Sequence, residues 1–431
     1  MASFNRVSSI ILFILFFINR SFANICDFCD CQPSRNDVFS VTCGCESIKN
    51  LRFTSDLMVG VESVSMVVIK NCHTVNIGQN SFSRLEKLDT LAIQNSLYVS
   101  LAAGAFSSLN SLLINNVRDI SFSEMALMGA RGIKNIIINS SNITQLPTYS
   151  LYDLEGVERL TFGNVSIGQI NRGAVNVSAK SIVMQNVKIN HIETNGLSLE
   201  AQKVLIKNSI FKNPAVGSIN IISEFQTRFL NNEFGGIFQA NVTSPFVEFS
   251  GNRFENFHSG VFENAQMSRV MNNSFTRMNF YGFFKVFDYK DFYDNYFECN
   301  CGMNLFDSSR KYDNYDIFKK NFCKTNCSLN LFEFEVESTA KCMKDGKVDA
   351  ISFCNYERTV RNNKRFRNLN HDSPKNETKD LSVNKIESRF LIGVDEEVDV
   401  NSTSSTSKAF SVKMCSSLFM FALVILSIVH Y

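Results

Sequence analysis

The chain is expected to fold as a solenoid of stacked parallel strands, and three features of its 431 residues predict this. Apolar residues and asparagines recur at a fixed period through the middle. That middle is free of cysteine, whereas six of the 13 cysteines precede it and seven follow it, the last of them, Cys415, set apart in the apolar C-terminal tail. The composition holds 40 phenylalanines, no tryptophan and only five prolines, so a regular place is needed to bury rings.

The period is legible turn by turn. NSFSRLEKLDTLAIQN spaces Phe82, Leu85, Leu88, Leu91 and Ile93 by three, three, three and two. GAFSSLNSLLINN repeats this through Phe106, Leu109, Leu112 and Ile114, and YSLYDLEGVERLTFGN through Leu151, Leu154, Val157, Leu160 and Phe162. GVFENAQMSRVMNN follows more loosely through Phe262, Ala265 and Val270. Asparagines punctuate the turns at Asn71, Asn95, Asn116, Asn139, Asn164, Asn186, Asn208, Asn232, Asn252, Asn273 and Asn295. The mean period is about 22 residues, a solenoid period. One turn cannot bury its own apolar face, but stacked turns share a continuous core.

The ends place the chain outside the cell. Val7 to Ile18 is an apolar run after one positive charge, and Ser21 and Ala23 supply a small-residue exit, the pattern of a secretory signal peptide. Twelve cysteines then divide evenly into Cys26, Cys29, Cys31, Cys43, Cys45 and Cys72 at one end and Cys299, Cys301, Cys323, Cys327, Cys342 and Cys354 at the other. In an oxidising compartment such sets read as two disulfide-stapled caps. The apolar core Leu418 to Val429 has 12 residues, against the ~20 of a spanning helix. Small residues and a polar spacer precede it, which predicts a glycosylphosphatidylinositol anchor with Ser404 as the attachment residue.

The repeat and the two caps together resemble the extracellular leucine-rich repeat family. CDFCDC with Cys43 is similar to that family's N-terminal cap, and NYFECNCGMNLF with Cys323 and Cys342 to its C-terminal cap. The resemblance implies an α/β-type solenoid, a horseshoe of about 11 turns. Family asparagines stand three residues after the last strand apolar, as in Phe229–Asn232; most earlier turns use two, as in Ile93–Asn95. That departure keeps a right-handed parallel β-helix as the alternative, approached most closely in the first seven turns.

The expected divisions are a signal peptide (1–23), an N-terminal cap (24–63), the repeats (64–294), a C-terminal cap (295–354), a polar disordered stalk (355–404) and an anchor propeptide (405–431). With 43 basic and 41 acidic residues the net charge is +2, so no global field favours nucleic acid. Nucleophile elbow, phosphate loop, zinc-helix and dinucleotide motifs are absent from the sequence. No cofactor and no catalytic or metal residues are assigned, and an enzyme is not expected.

Binding is the expected activity. Taking the residue between the last two strand apolars gives an outward column: Val68, Ala92, Leu113, Ile137, Thr161, Val183, Leu205, Arg228, Glu248, Arg269 and Asp291. Its aliphatic members, Val68, Ala92, Leu113, Ile137, Val183 and Leu205, are the candidate partner-binding residues, because contiguous exposed apolar surface marks association. The competing explanation is that β-branched residues suit any strand. The last four members are read as a cross-strand ion-pair ladder. Among nine glycosylation sequons, Asn142, Asn241, Asn376, Asn139 and Asn176 are the preferred carriers. Asn164 presents a conflict, since a buried ladder asparagine cannot also carry a glycan. The expected protein is a cell-surface glycoprotein that recognises an extracellular or membrane protein, or a second copy of itself, and is held to the membrane by lipid. Polysaccharide binding or processing by a β-helix and a structural matrix role are the alternatives.

Overall fold

The computed structural model describes residues 24–33, 39–46, 49–128, 130–258, 264–279, 291–300, 316–325 and 329–334. The expected signal peptide, stalk and anchor segment lie outside these residues, as do Cys301, Cys327, Cys342, Cys354, Asn376 and Ser404. The described chain winds into a parallel β-solenoid of about 11 coils. Among the described residues, helix occurs only in short pieces, including Asp316–Lys319, residues 331–334 and the 3-10 turns Ile25–Asp27 and Ser55–Met58.

Each coil places one strand on a first face and one on a second face. Strands on the first face include Met66–Lys70, Asn135–Asn139 and the opening of Thr90–Leu101; the second includes Thr74–Ile77, Asn142–Leu146 and Ser166–Ile170. Successive coils pair in parallel with 19 to 26 residues between partners, from Phe238↔Phe257 to Cys43↔Ile69. Alternate residues point inward, as strand geometry requires. Ile69, Ile93, Ile114, Ile138, Phe162, Met184 and Ile206 thus stack into one buried column.

The third side changes along the molecule. In early coils it is irregular, and Phe82, Leu85, Leu88, Phe106 and Leu109 are buried from it. From Leu151 onward it becomes strand. Leu151, Leu154 and Val157, spaced by three, pair with Val175, Val177 and Ala179, spaced by two, through two register shifts. The sequence VNVSA has the alternation a strand needs, whereas a spacing of three also satisfies a tight loop. The expected α/β horseshoe therefore finds no helical side among the described residues. The solenoid is β-helix-like throughout, and its third side is strand from the fifth of the first seven turns onward.

Corners explain the punctuation. One residue per coil between the first and second faces has positive φ: Asn71, Asn95, Asn116, Ser140, Asn164, Asn186, Asn208, Asn231, Gly251, Asn272 and Asp294. Asparagine tolerates this left-handed conformation better than most side chains. The next residue points inward, where Cys72, Ser96, Ser141 and Ser209 give way to Asn232, Asn252, Asn273, Asn295 and Asn321, all buried. Asn252 Oδ1 accepts from the Asn232 backbone N–H (2.9 Å) and from Asn232 Nδ2 (3.0 Å), while Asn232 Nδ2 also donates to the Ile206 carbonyl (2.8 Å). The same pattern repeats at Asn273, Asn295 and Asn321. The buried backbone of these later turns thereby gains internal partners.

Phenylalanines form a second ladder. Phe211, Phe234, Phe254, Phe275 and Phe297 stack with centroids 4.9, 5.0, 5.2 and 5.0 Å apart, and Phe229 stacks on Phe249 at 4.5 Å. These separations match the strand spacing, so a column of like rings fits without adjustment.

One glycine is fixed by close approach. A Cβ at Gly168 would strike the Thr144 carbonyl oxygen of the preceding coil. We expect Gly168→Ala to lose about 1–3 kcal/mol through overpacking, measured by urea unfolding of the secreted protein.

At the N-terminal end, β1 (Asp30–Pro33) pairs antiparallel with β2 (Phe39–Gly44), the first rung of the first face. Disulfides join Cys26 to Cys31, Cys29 to Cys43 and Cys45 to Cys72, and a fourth joins Cys299 to Cys323. None of these four links one end to the other. At the far end an antiparallel bridge, Phe322↔Asn330, meets the last parallel rung.

Candidate interaction surfaces

The outward column on the first face is in unbroken register. Val68 pairs with Ala92, Ala92 with Leu113, Leu113 with Ile137, Ile137 with Thr161, Thr161 with Val183, Val183 with Leu205 and Leu205 with Arg228. Each aliphatic side chain is half-buried by its neighbours above and below, except Ala92, which is 6% exposed. Seven strands at ~4.8 Å give a strip about 30 Å long. Polar residues flank it, including Thr90, Ser111 and Asn135 on one side and Gln94, Asn115 and Gln185 on the other.

Beyond Leu205 the column turns charged. Arg228 Nε donates to Glu248 Oε2 at 2.6 Å, and the Glu248 side chain is only 5% exposed. Burying that carboxylate is tolerable because the guanidinium sits against it. Arg269, the next member, lies over the Phe246 ring with its charge centre 5.7 Å from the centroid. The expected ladder of ion pairs is thus one ion pair followed by a cation–π contact.

Sequons occupy distinct places. Asn241 and Asn272 are exposed, and Asn139, Asn142 and Asn176 are half-buried. Asn164 is an exposed corner residue accepting from Asn186 Nδ2 at 2.8 Å. Its conflict dissolves, because the buried ladder begins later in the chain.

Two concavities mark the surface. One of about 490 Å³ runs along the edge between the third and first faces, lined by Lys180, Glu200, Gln202, Ile222 and Glu224. The other, about 360 Å³, lies on the second face around Tyr98. The sequence reading missed both, because it followed one column on one face. The signal available was the run of polar residues at alternate positions in TVN, YVS and DIS. No group of three or more His, Cys, Asp or Glu side chains placed to hold a metal occurs among the described residues.

No protein-family model matches the chain, and no curated protein matches it. Its class therefore rests on the fold: a parallel β-solenoid with disulfides in its N-terminal region.

Proposed function

We propose that the chain is a cell-surface recognition glycoprotein of leucine-rich repeat ancestry that binds an extracellular or membrane protein through its first face. Binding, not catalysis, is the proposed activity, with attachment to the outer leaflet by a lipid at Ser404. The observation that carries the reading is the in-register strip from Val68 to Leu205, half-buried except for the buried Ala92 and framed by polar columns. The spacing of Phe82, Leu85 and Leu88 and the buried asparagine ladder support the ancestry. Four disulfides support an oxidising location.

The test compares surface and core variants. Leu113→Lys with Ile137→Lys should be secreted nearly normally and lose partner binding or self-association, because an ammonium would be stranded in an apolar interface. Leu160→Ala, within the core, should cost roughly 2–5 kcal/mol and reduce secretion. Normal binding and unchanged solution size of the lysine variant would remove the strip as a site. Separately, phosphatidylinositol-specific phospholipase C should release the protein from cells; retention with an intact C-terminal epitope would refute the anchor.

A further inference from the structure

We propose that the hollow on the second face is a binding site for a neutral sugar chain. It crosses four successive coils, and outward side chains alone give it its chemistry. Asn76, Ser100, Ser121 and Thr144 form one row, following the registers Asn76↔Ser100, Ser100↔Ser121 and Ile120↔Ile143. Tyr98 and Asp119, paired with each other, form the neighbouring row. The polar row spans three strand gaps, roughly 14 Å.

The lining decides the ligand class by exclusion. Asp119 is the single charged residue among those lining the hollow, so phosphates, sulfates and acidic peptides meet no cation and one carboxylate. The exposed lining is more apolar than polar, yet a wholly apolar ligand would leave the row of amide and hydroxyl groups without partners, so the ligand must present both kinds of surface. A polyhydroxyl chain satisfies both conditions, since each hydroxyl donates and accepts. The Tyr98 ring is 42% exposed and leans on His73 with centroids 5.8 Å apart. It offers a flat apolar platform for the C–H face of a pyranose. Asn76 Oδ1 accepts from Ser100 Oγ (3.3 Å), and Asp119 Oδ1 accepts from Asn142 Nδ2 (2.8 Å), which holds the polar groups in place before any ligand arrives.

Two sources fit this chemistry. Asn142 and Thr144 belong to one sequon, Asn-Ile-Thr, so a glycan on Asn142 would begin at the rim of the hollow. The other source is a free oligosaccharide. The site is independent of the first-face strip, and its failure would leave that reading untouched.

The experiment uses the secreted protein and has two arms. Glycopeptide mass spectrometry first establishes whether Asn142 carries a glycan. If it does, Tyr98→Ala should speed native deglycosylation at Asn142 by about tenfold, the loss of one well-made contact, without changing the rate at Asn241. In the second arm, wild-type protein is titrated with cellohexaose, laminarihexaose, chitohexaose and a heparin hexasaccharide. If Asn142 is glycosylated, an endoglycosidase first trims it to a single N-acetylglucosamine, so that its amide is kept. A neutral hexasaccharide should bind, and Tyr98→Ala and Asn76→Ala should each weaken it about tenfold. A positive result in either arm supports the site and names its source. Neutral hexasaccharides that do not bind, together with a deglycosylation rate insensitive to Tyr98, overturn the proposal. So does binding of the heparin fragment alone.

Discussion

Asn252→Ala should be among the most damaging single substitutions in the chain, reducing stability by about 3–5 kcal/mol. Its buried side chain makes four hydrogen bonds, one of them from Nδ2 to Asn273 Oδ1 at 3.0 Å. Oδ1 accepts from the Asn232 backbone N–H and from Asn232 Nδ2, and Nδ2 donates to the Phe229 carbonyl at 2.8 Å. Truncation takes a partner from two buried donors and two buried acceptors, at roughly 1–3 kcal/mol each before relaxation. Asn252→Asp is the informative companion. It keeps the acceptor for Asn232 but loses the donor to Phe229 and places a carboxylate beside Asn273 Oδ1. Chemical unfolding and secretion should rank wild type first, with both variants far below. A loss under about 1 kcal/mol for Asn252→Ala would mean that water replaces the side chain.

The second large effect is expected at Phe254. Its ring touches Phe234 at 5.0 Å, Phe275 at 5.2 Å and Phe257 at 4.8 Å and has no exposed surface. Phe254→Ala should lose about 3–5 kcal/mol by cavity formation. Phe254→Leu should retain much of that, because the column needs apolar volume more than aromaticity. In a solenoid each coil contacts its neighbours alone, so the damage should stay local. Hydrogen exchange of Phe254→Ala should therefore rise in residues 229–279 and remain unchanged in residues 66–122. Uniformly faster exchange along the chain would show that the coils unfold as one cooperative unit.

The repeat and its length were legible because two adjacent positions recur in every coil, and asparagine suits both. The corner residue must adopt positive φ, and the residue after it must satisfy buried backbone. The sequence reading merged these. Asn71, Asn95 and Asn164 are corners, whereas Asn232, Asn252 and Asn273 are the inward residues that follow the corners Asn231, Gly251 and Asn272. The change from a spacing of two to a spacing of three is this step of one position. Helix was overestimated because Phe82, Leu85 and Leu88 are spaced as a helical turn would space them, although an irregular loop buries them equally well. The outward column was legible because a strand alternates, and one correct register fixes every other residue. Charge pairing within it was not, because Arg269 chose an aromatic ring that lies off its column. The sugar-sized hollow has no motif at all; it exists only once four distant segments are stacked.

The two antiparallel ends carry a consequence for assembly. A parallel stack of like rungs is open-ended by nature, since its last strand offers the next chain the same hydrogen-bonding template it received. Among the described residues, β1 reverses the chain direction over the first face at the N-terminal end and the Phe322↔Asn330 bridge does so over the second face at the other, so a rung arriving there meets a partner running the wrong way. Direction reversal works as a terminator, and the bridges Cys26–Cys31 and Cys29–Cys43 keep the first terminator folded down. Removing it turns a discrete particle into a unit with one sticky end. Such contacts are head-to-tail and do not close, so growth would be linear. Cys29→Ser with Cys43→Ser should therefore shift the secreted protein from a single species to concentration-dependent linear multimers in light scattering, while a variant at the first-face strip should not.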